Sequence, residues 1–231
     1  MTPKQRKSGG IRAAVRGTRT RNNHKILAAA EKVFAEKGFD GATTQEIADR
    51  AGLPKANVHY YFRTKKDIYL AVMKSIMAPW LEAFRAISAD DDPADALGDY
   101  IRRKVMLSKE RPLASRIFAN EIIRGAPVLG GFLSKDLAGW VGEKARILKK
   151  WAELGKIDRI PPEHLFFVIW AATQTYADFE AQVQAVLGRR RLKNSDYETA
   201  ADFITMLVFK GCGVRTAPDR GTRGRGRPSK T

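Results

Sequence analysis

With a single cysteine in 231 residues, Cys212, the sequence cannot form an internal disulfide or a cysteine-rich metal site. Histidine is almost as scarce. His24, His59 and His164 fall in separate segments, with no metal-ligand spacing and no nucleophile elbow nearby. An enzyme therefore has little to be built from, and no catalytic residue, metal or cofactor is expected. The longest unbroken apolar run, Leu165 to Ala172, is far too short to span a bilayer, so no membrane partner is expected. The basic N-terminus has no apolar stretch behind it and does not read as a secretory signal, which makes the cytoplasm the expected compartment. Period-two alternation is missing as well, and no sheet is expected.

Acidic residues are missing where basic ones crowd. Residues 1–25 contain eight Lys and Arg and no Asp or Glu, and residues 215–231 contain six against Asp219. Of the net charge of +17, the first segment supplies +8 and the second +5, leaving +4 for everything between. Cationic ends of this kind gain affinity for a polyanion by releasing its condensed counterions, which favours nucleic acid as the partner. They also suit plain solubilising tails, and composition alone leaves both readings open.

What is present is helical punctuation, and the chain is expected to be all-α. From about Asn23, Ile26, Leu27, Ala30, Val33 and Phe34 recur at helical spacing until Gly38. A short helix over 44–51, the turn Gly52-Leu53-Pro54 and a second short helix to about Phe62 follow. Thr64 stands three residues before Asp67, a capping-box spacing that opens a longer helix to about Ile87. Acidic cap candidates at 90–92 precede Pro93. Further helices are expected over 93–109, 112–124, 127–154, 162–187 and 196–211, the last with Ser195 and Glu198 at capping-box spacing. The organisation is then a disordered basic arm (1–20), a three-helix head (21–66), a larger helical domain (67–212) and a disordered basic tail (213–231).

The head contains a helix-turn-helix. Two short helices crossing steeply need small residues where they touch, a glycine in the turn and apolar anchors facing inward. Ala48 and Ala51 are the small contacts, Gly52 is the turn, and Ile47, Leu53, Val58 and Phe62 are the anchors. The other face of the second helix holds Lys55, Asn57, His59, Tyr60 and Tyr61, donors suited to phosphates and base edges. Tyr61 fits either that face or the core.

The run Thr44-x-Glu46-Ile47-Ala48-x-x-Ala51-Gly52-Leu53-Pro54-Lys55-Ala56-Asn57-Val58-His59-Tyr60-Tyr61-Phe62-x-Thr64-Lys65-x-x-Ile68 resembles the signature of the TetR family of transcriptional regulators. The resemblance implies a dimeric regulator of double-stranded operator DNA whose helix from Pro54 enters the major groove. It assigns phosphate contacts to Thr44 and Lys65, and a DNA-facing role to Lys55, Ala56, Asn57, Tyr60 and Tyr61. Two positions depart from the family pattern. Pro54 stands where serine is usual, removing a side-chain phosphate contact, and His59 replaces a usual tyrosine.

In the second domain Trp170, Gln174 and Asp178 lie at i, i+4 and i+8, so they share one helical face. An aromatic plate beside an amide and a carboxylate can hold a flat polar heterocycle. Spacing alone favours the plainer alternative, a core tryptophan with polar residues at a dimer seam. The stretches Ser115-Arg116-Ile117-Phe118 to Gly125-Ala126-Pro127 and Trp170 to Val183 resemble the pyrimidine-responsive subgroup of the family. That resemblance implies an effector such as uracil or thymine and a pocket with Trp170, Gln174 and Asp178, joined by Phe118, Asn120 and Trp80. It also implies that the last two helices, with Phe166, Phe167, Phe203, Leu207 and Phe209, pair into a homodimer.

Arg223-Gly224-Arg225-Gly226-Arg227-Pro228 resembles an AT-hook, an arm slim enough for a narrow A·T minor groove, although nonspecific phosphate attraction is the favoured reading of so short a basic motif. A repressor of an efflux or catabolic operon with a larger, greasier pocket is the alternative within regulators. A nonspecific architectural DNA binder is another.

Overall fold

The computed structural model describes the backbone of residues 3–214, with side chains from residue 17 onward. The basic tail from 215 and its hook-like segment lie outside the described residues. The first helix, α1, is assigned over Pro3–Gly41, so the backbone of residues 3–20, expected as a disordered arm, is helical. Alanine, lysine, arginine and glutamine propagate a helix well once a packed segment has nucleated it, even where nothing apolar is available to bury. Gly38 breaks the helix with φ +67°, a left-handed conformation that glycine takes without strain, and this is the stop expected there.

The helix α2 (Thr44–Ala51) is capped by Thr43, whose hydroxyl accepts from the Glu46 amide while Glu46 accepts in return from the Thr43 amide. Gly52, at φ +64°, turns the chain and donates to the carbonyls of Ala48 and Asp49. The recognition-type helix α3 (Lys55–Tyr61) follows, and Thr64 with Asp67 caps α4 (Lys65–Arg85) in the expected box.

Pro79 interrupts the hydrogen-bond ladder of α4, because it has no amide to donate to the Ser75 carbonyl. Arg111 occupies that gap. Its guanidinium donates to the Ser75 carbonyl at 2.9 Å and pairs with Glu31 of α1 at 2.8 Å. One side chain thus joins the proline turn of α4 to α1 of the N-terminal head.

The rest is a helical bundle of α5 (Pro93–Glu110), α6 (Pro112–Ile123), α7 (Gly130–Phe132), α8 (Ala138–Glu153), α9 (Pro162–Asp178), α10 (Glu180–Val186) and α11 (Asn194–Gly211). Asp92 caps α5 as expected. Three boundaries differ from expectation. A π-helical turn over Leu133–Leu137 joins α7 to α8, so the helix expected from 127 begins at 130 and carries a bulge. The helix expected over 162–187 is broken at Phe179 (φ −115°, ψ 33°) into α9 and α10. The last helix starts earlier than expected, because Asp196 rather than Glu198 accepts from the backbone ahead of it, the Lys193 amide, at 2.7 Å.

The apolar core divides in two, though not at residue 66. One cluster joins the head, α4 as far as Met77, and Ala114 and Ile117 of α6. The other joins Phe84 and Ile87 to α5, α8, α9 and α11, with Trp151 fully buried at its centre. Among the described residues no strand occurs, and no helix is long and apolar enough to cross a membrane.

Candidate DNA interface and effector cavity

On α3, Val58 is the buried residue, while Lys55, Ala56, Asn57, His59 and Tyr60 are exposed. Tyr60 is 71% exposed, far more than an aromatic ring needs to be for packing. It meets the Tyr61 ring edge-on at 5.3 Å, and the Arg19 guanidinium stands 5.9 Å over it. Tyr61 is half-buried and packs against the head core, resolving its two readings towards packing with one edge accessible. Thr44 opens α2 and is half-buried.

Lys65, to which the resemblance gives a phosphate contact, is also engaged within the protein. Its ammonium donates to the carbonyls of Ala42 at 2.9 Å and Asp40 at 3.2 Å, and lies 4.6 Å over the Phe39 ring. Two of its three donors hold the α1–α2 link, leaving one for a phosphate.

The cavity lies between α4, α5, α6, α9 and the π-turn segment. Trp80 and Phe118 meet edge to face at 5.1 Å in its lining, and Trp170 and Gln174 line it from α9. Phe132, the last residue of α7, and Leu137, the last of the π-turn, also line it. Its volume is about 60 Å³. The Trp170 indole donates to the Tyr100 hydroxyl at 2.6 Å, which fixes the ring plane. The Gln174 amide makes no hydrogen bond to any described residue and is available to an occupant.

Four of the six pocket residues named from sequence therefore converge: Trp170, Gln174, Phe118 and Trp80. Asp178 does not line the cavity. One helical turn further along α9, its carboxylate accepts from the Ser115 hydroxyl at 2.6 Å, and burial pushes its pKa upward against the pull of that bond, Lys104 and Arg116. Asn120 is exposed, because the turn of α6 that aims Phe118 inward aims residue 120 out.

Sequence reading missed Lys104 and Tyr100. Lys104 is only 4% exposed, and its ammonium lies 4.5 Å over the Trp80 ring. Burial lowers its pKa to about 7, with Asp178 pulling the other way. A lysine one turn from Tyr100 looks like an ordinary solvated position until α4 and α9 fold over it; only its place on the inward stripe with Ile101, Val105 and Ser108 marked it.

Two helices connect cavity and head. α4 passes from Thr64 through its Pro79 turn to Trp80. α6 presents Phe118 to the cavity and Glu121 to the head, where the buried carboxylate accepts from the Tyr69 hydroxyl at 3.0 Å and from the amides of Val128 and Leu129. Arg124, the residue that caps the end of α6, pairs with Asp40 past the Gly38 break in α1.

On the outer face, Phe167 and Val168 of α9 and Phe203, Met206 and Leu207 of α11 are exposed. Phe166 and Phe209, grouped with them on sequence, are not. Phe166 is fully buried against Phe84 at 4.9 Å, and Phe209 is half-buried over Gly98.

Comparison with known proteins places these features. Residues 26–72 match the family of bacterial regulatory proteins, tetR family, and residues 73–215 match the YcdC-like protein, C-terminal region. The chain is 38% identical to the HTH-type transcriptional regulator RutR of Escherichia coli K12, over 82% of its own length and 90% of the relative's. It is 26% identical to the HTH-type transcriptional repressor NicS of Pseudomonas putida, over 88% and 95%. A TetR-family regulatory protein from Rhodococcus RHA1 superposes with a TM-score of 0.68 at 20% identity, over 84% of this chain and 98% of the other. The chain belongs to the TetR family: it is a ligand-responsive, DNA-binding regulator of a kind that acts as a dimer on operator DNA.

Proposed function

We propose that the protein is a dimeric repressor released from its operator by a small planar heterocycle such as uracil or thymine, seated between Trp170 and Trp80. The observation that carries this is the convergence of two indoles, three phenyl rings and an unpaired glutamine amide on one small cavity. Pockets for drug-sized ligands run to about 300–1,000 Å³, so about 60 Å³ suits a single ring and disfavours a bulky lipophilic effector. The resemblance of this half of the chain to the pyrimidine-responsive subgroup agrees. Lys55, Ala56, Asn57 and Tyr60 are the reading residues; Thr44, Tyr61 and the remaining donor of Lys65 contact the backbone of the duplex.

An effector releases DNA only by binding one conformation better than the other. An occupant that spreads Trp80 from Phe118 moves α4 beyond its proline turn and shifts α6. Through Arg111, Glu121 and Arg124 that motion reaches α1 and Tyr69, and changes the separation of the paired recognition helices. Half-sites about one helical turn apart tolerate little such change.

The test is a gel shift on the DNA upstream of the gene. The expected result is a complex that uracil or thymine dissolves, that forms but ignores them in Gln174→Ala, and that is lost in a folded Tyr60→Ala protein. Full binding by Tyr60→Ala together with Lys55→Ala sinks the interface. Release by lipophilic cations but not by pyrimidines sinks the effector assignment.

A further inference from the structure

The second polar group at the cavity, the Lys104 ammonium, is what the effector reading leaves unused. It lines the cavity and is 4% exposed, yet it forms no hydrogen bond or ion pair with any described residue; its close contact is the Trp80 ring at 4.5 Å. The groups packed around it explain why it stays unpaired. From α9 the one carboxylate is Asp178, already engaged by Ser115, with Arg116 drawn towards Glu180 at 2.5 Å. On its own helix, Tyr100 accepts from Trp170. α4 offers Met77 and Trp80, α6 offers Phe118, and the π-turn segment offers Phe132 and Leu137. A buried ammonium without an anion is strongly disfavoured, and a neighbouring aromatic face offsets only part of that.

On the reading that this cavity receives the effector, the geometry points to Lys104 as the residue that selects it by acidity: the ligand is a flat ring bearing an acidic N–H or acid group, and it is held as its anion against the Lys104 ammonium. The anion supplies the missing counter-charge inside a low-dielectric site, where it counts for more than in water. Trp80 and Trp170 accept the ring faces, and the Gln174 amide meets its polar edge.

Proton balance gives this binding mode a signature. Because burial brings the free lysine to a pKa of about 7, it is largely neutral just above that pH. There the ring N–H bond breaks, the proton forms a new N–H bond on Nζ, and none is exchanged with solvent. Below about pH 7 the lysine is already charged, the ring proton must leave to solvent, and affinity falls about tenfold per unit of falling pH. A neutral ring merely accepting from the ammonium behaves oppositely, because proton uptake then strengthens binding as the pH falls.

The experiment is calorimetric titration of the full-length protein, Lys104→Met and Lys104→Gln with uracil, 5-fluorouracil and nicotinate, from about pH 6 to about pH 8. 5-Fluorouracil nearly matches uracil in shape but is more acidic. The expected result is tighter binding of 5-fluorouracil by about tenfold, a loss of that preference in Lys104→Met, no rescue by the uncharged donor of Lys104→Gln, and weakening below about pH 7. Circular dichroism of both variants confirms folding; removing an unpaired buried charge is expected to leave them at least as stable. Uracil binding that is indifferent to Lys104→Met, or that strengthens as pH falls, overturns the acidity proposal while the pyrimidine reading stands. Lys104-dependent binding of nicotinate without either pyrimidine does the reverse. Binding of none of the three overturns both.

Discussion

Replacing Phe203 and Leu207 together by glutamate is expected to give a monomer at micromolar concentration and to lower operator affinity by about a hundredfold or more. Phe203 is 55% exposed and Leu207 51%, and with Phe167, Val168 and Met206 they form one apolar patch across α9 and α11. Large apolar side chains left exposed on two packed helices are what an association surface presents. Each glutamate adds a charge that must be desolvated at the centre of the seam, where it meets its symmetry mate. Loss of the dimer halves the number of phosphate and base contacts made at once, which is why DNA binding falls with it. Sedimentation velocity reads the first effect and fluorescence anisotropy on labelled DNA the second. A dimer that survives both substitutions places the interface elsewhere.

The largest effect on stability is expected at Glu121. Its buried carboxylate receives three donors, the Tyr69 hydroxyl and two backbone amides from the 126–129 turn, where Ala126 itself sits at φ +55°. Glu121→Ala strands all three in a protein interior, and each stranded donor costs about 1–3 kcal/mol. Even with partial relaxation the loss is about 3 kcal/mol or more, which for a chain of this size lowers Tm by roughly 6–12 °C. Glu121→Gln keeps an oxygen for the two amides and is expected to cost about 1 kcal/mol. Because Glu121 also ties α6 to the head through Tyr69, the Gln variant is expected to bind DNA yet respond less to effector. Differential scanning calorimetry and the gel shift separate these outcomes; equal Tm for Ala and Gln contradicts the assignment.

The head was legible almost residue by residue. Its helices are short, so caps and turns decide them, and Thr43, Gly52, Thr64 and Asp67 act through neighbours three or four positions away. From spacing the cavity was legible only where one helix face announced it, while Phe118 and Trp80 came from the family resemblance. Trp170 and Gln174 share such a face, but Lys104 acquires its meaning from Trp80 and Asp178 on two other helices. Residues that line a cavity from several separate elements have no common period. Asn120 and Phe118 show the same limit in reverse: two positions apart on one helix, they cannot both face inward. The division of 162–187 at Phe179 carries no glycine or proline to signal it. The role of Pro79 was equally hidden, since the carbonyl it strands is met by Arg111 from another part of the chain.

The placement of the four tryptophans has a practical consequence. Trp80 and Trp170 face the cavity, whereas Trp151 is sealed in the core with its indole bonded to the Ala89 carbonyl at 3.1 Å, and Trp140 sits under Arg85 at a distance of 4.5 Å. Two of the four indoles therefore line the cavity and two do not, so a ligand placed there is expected to change the emission of the first pair most. Titration followed by tryptophan fluorescence is then expected to read filling of the cavity without a dye or any change to the sequence.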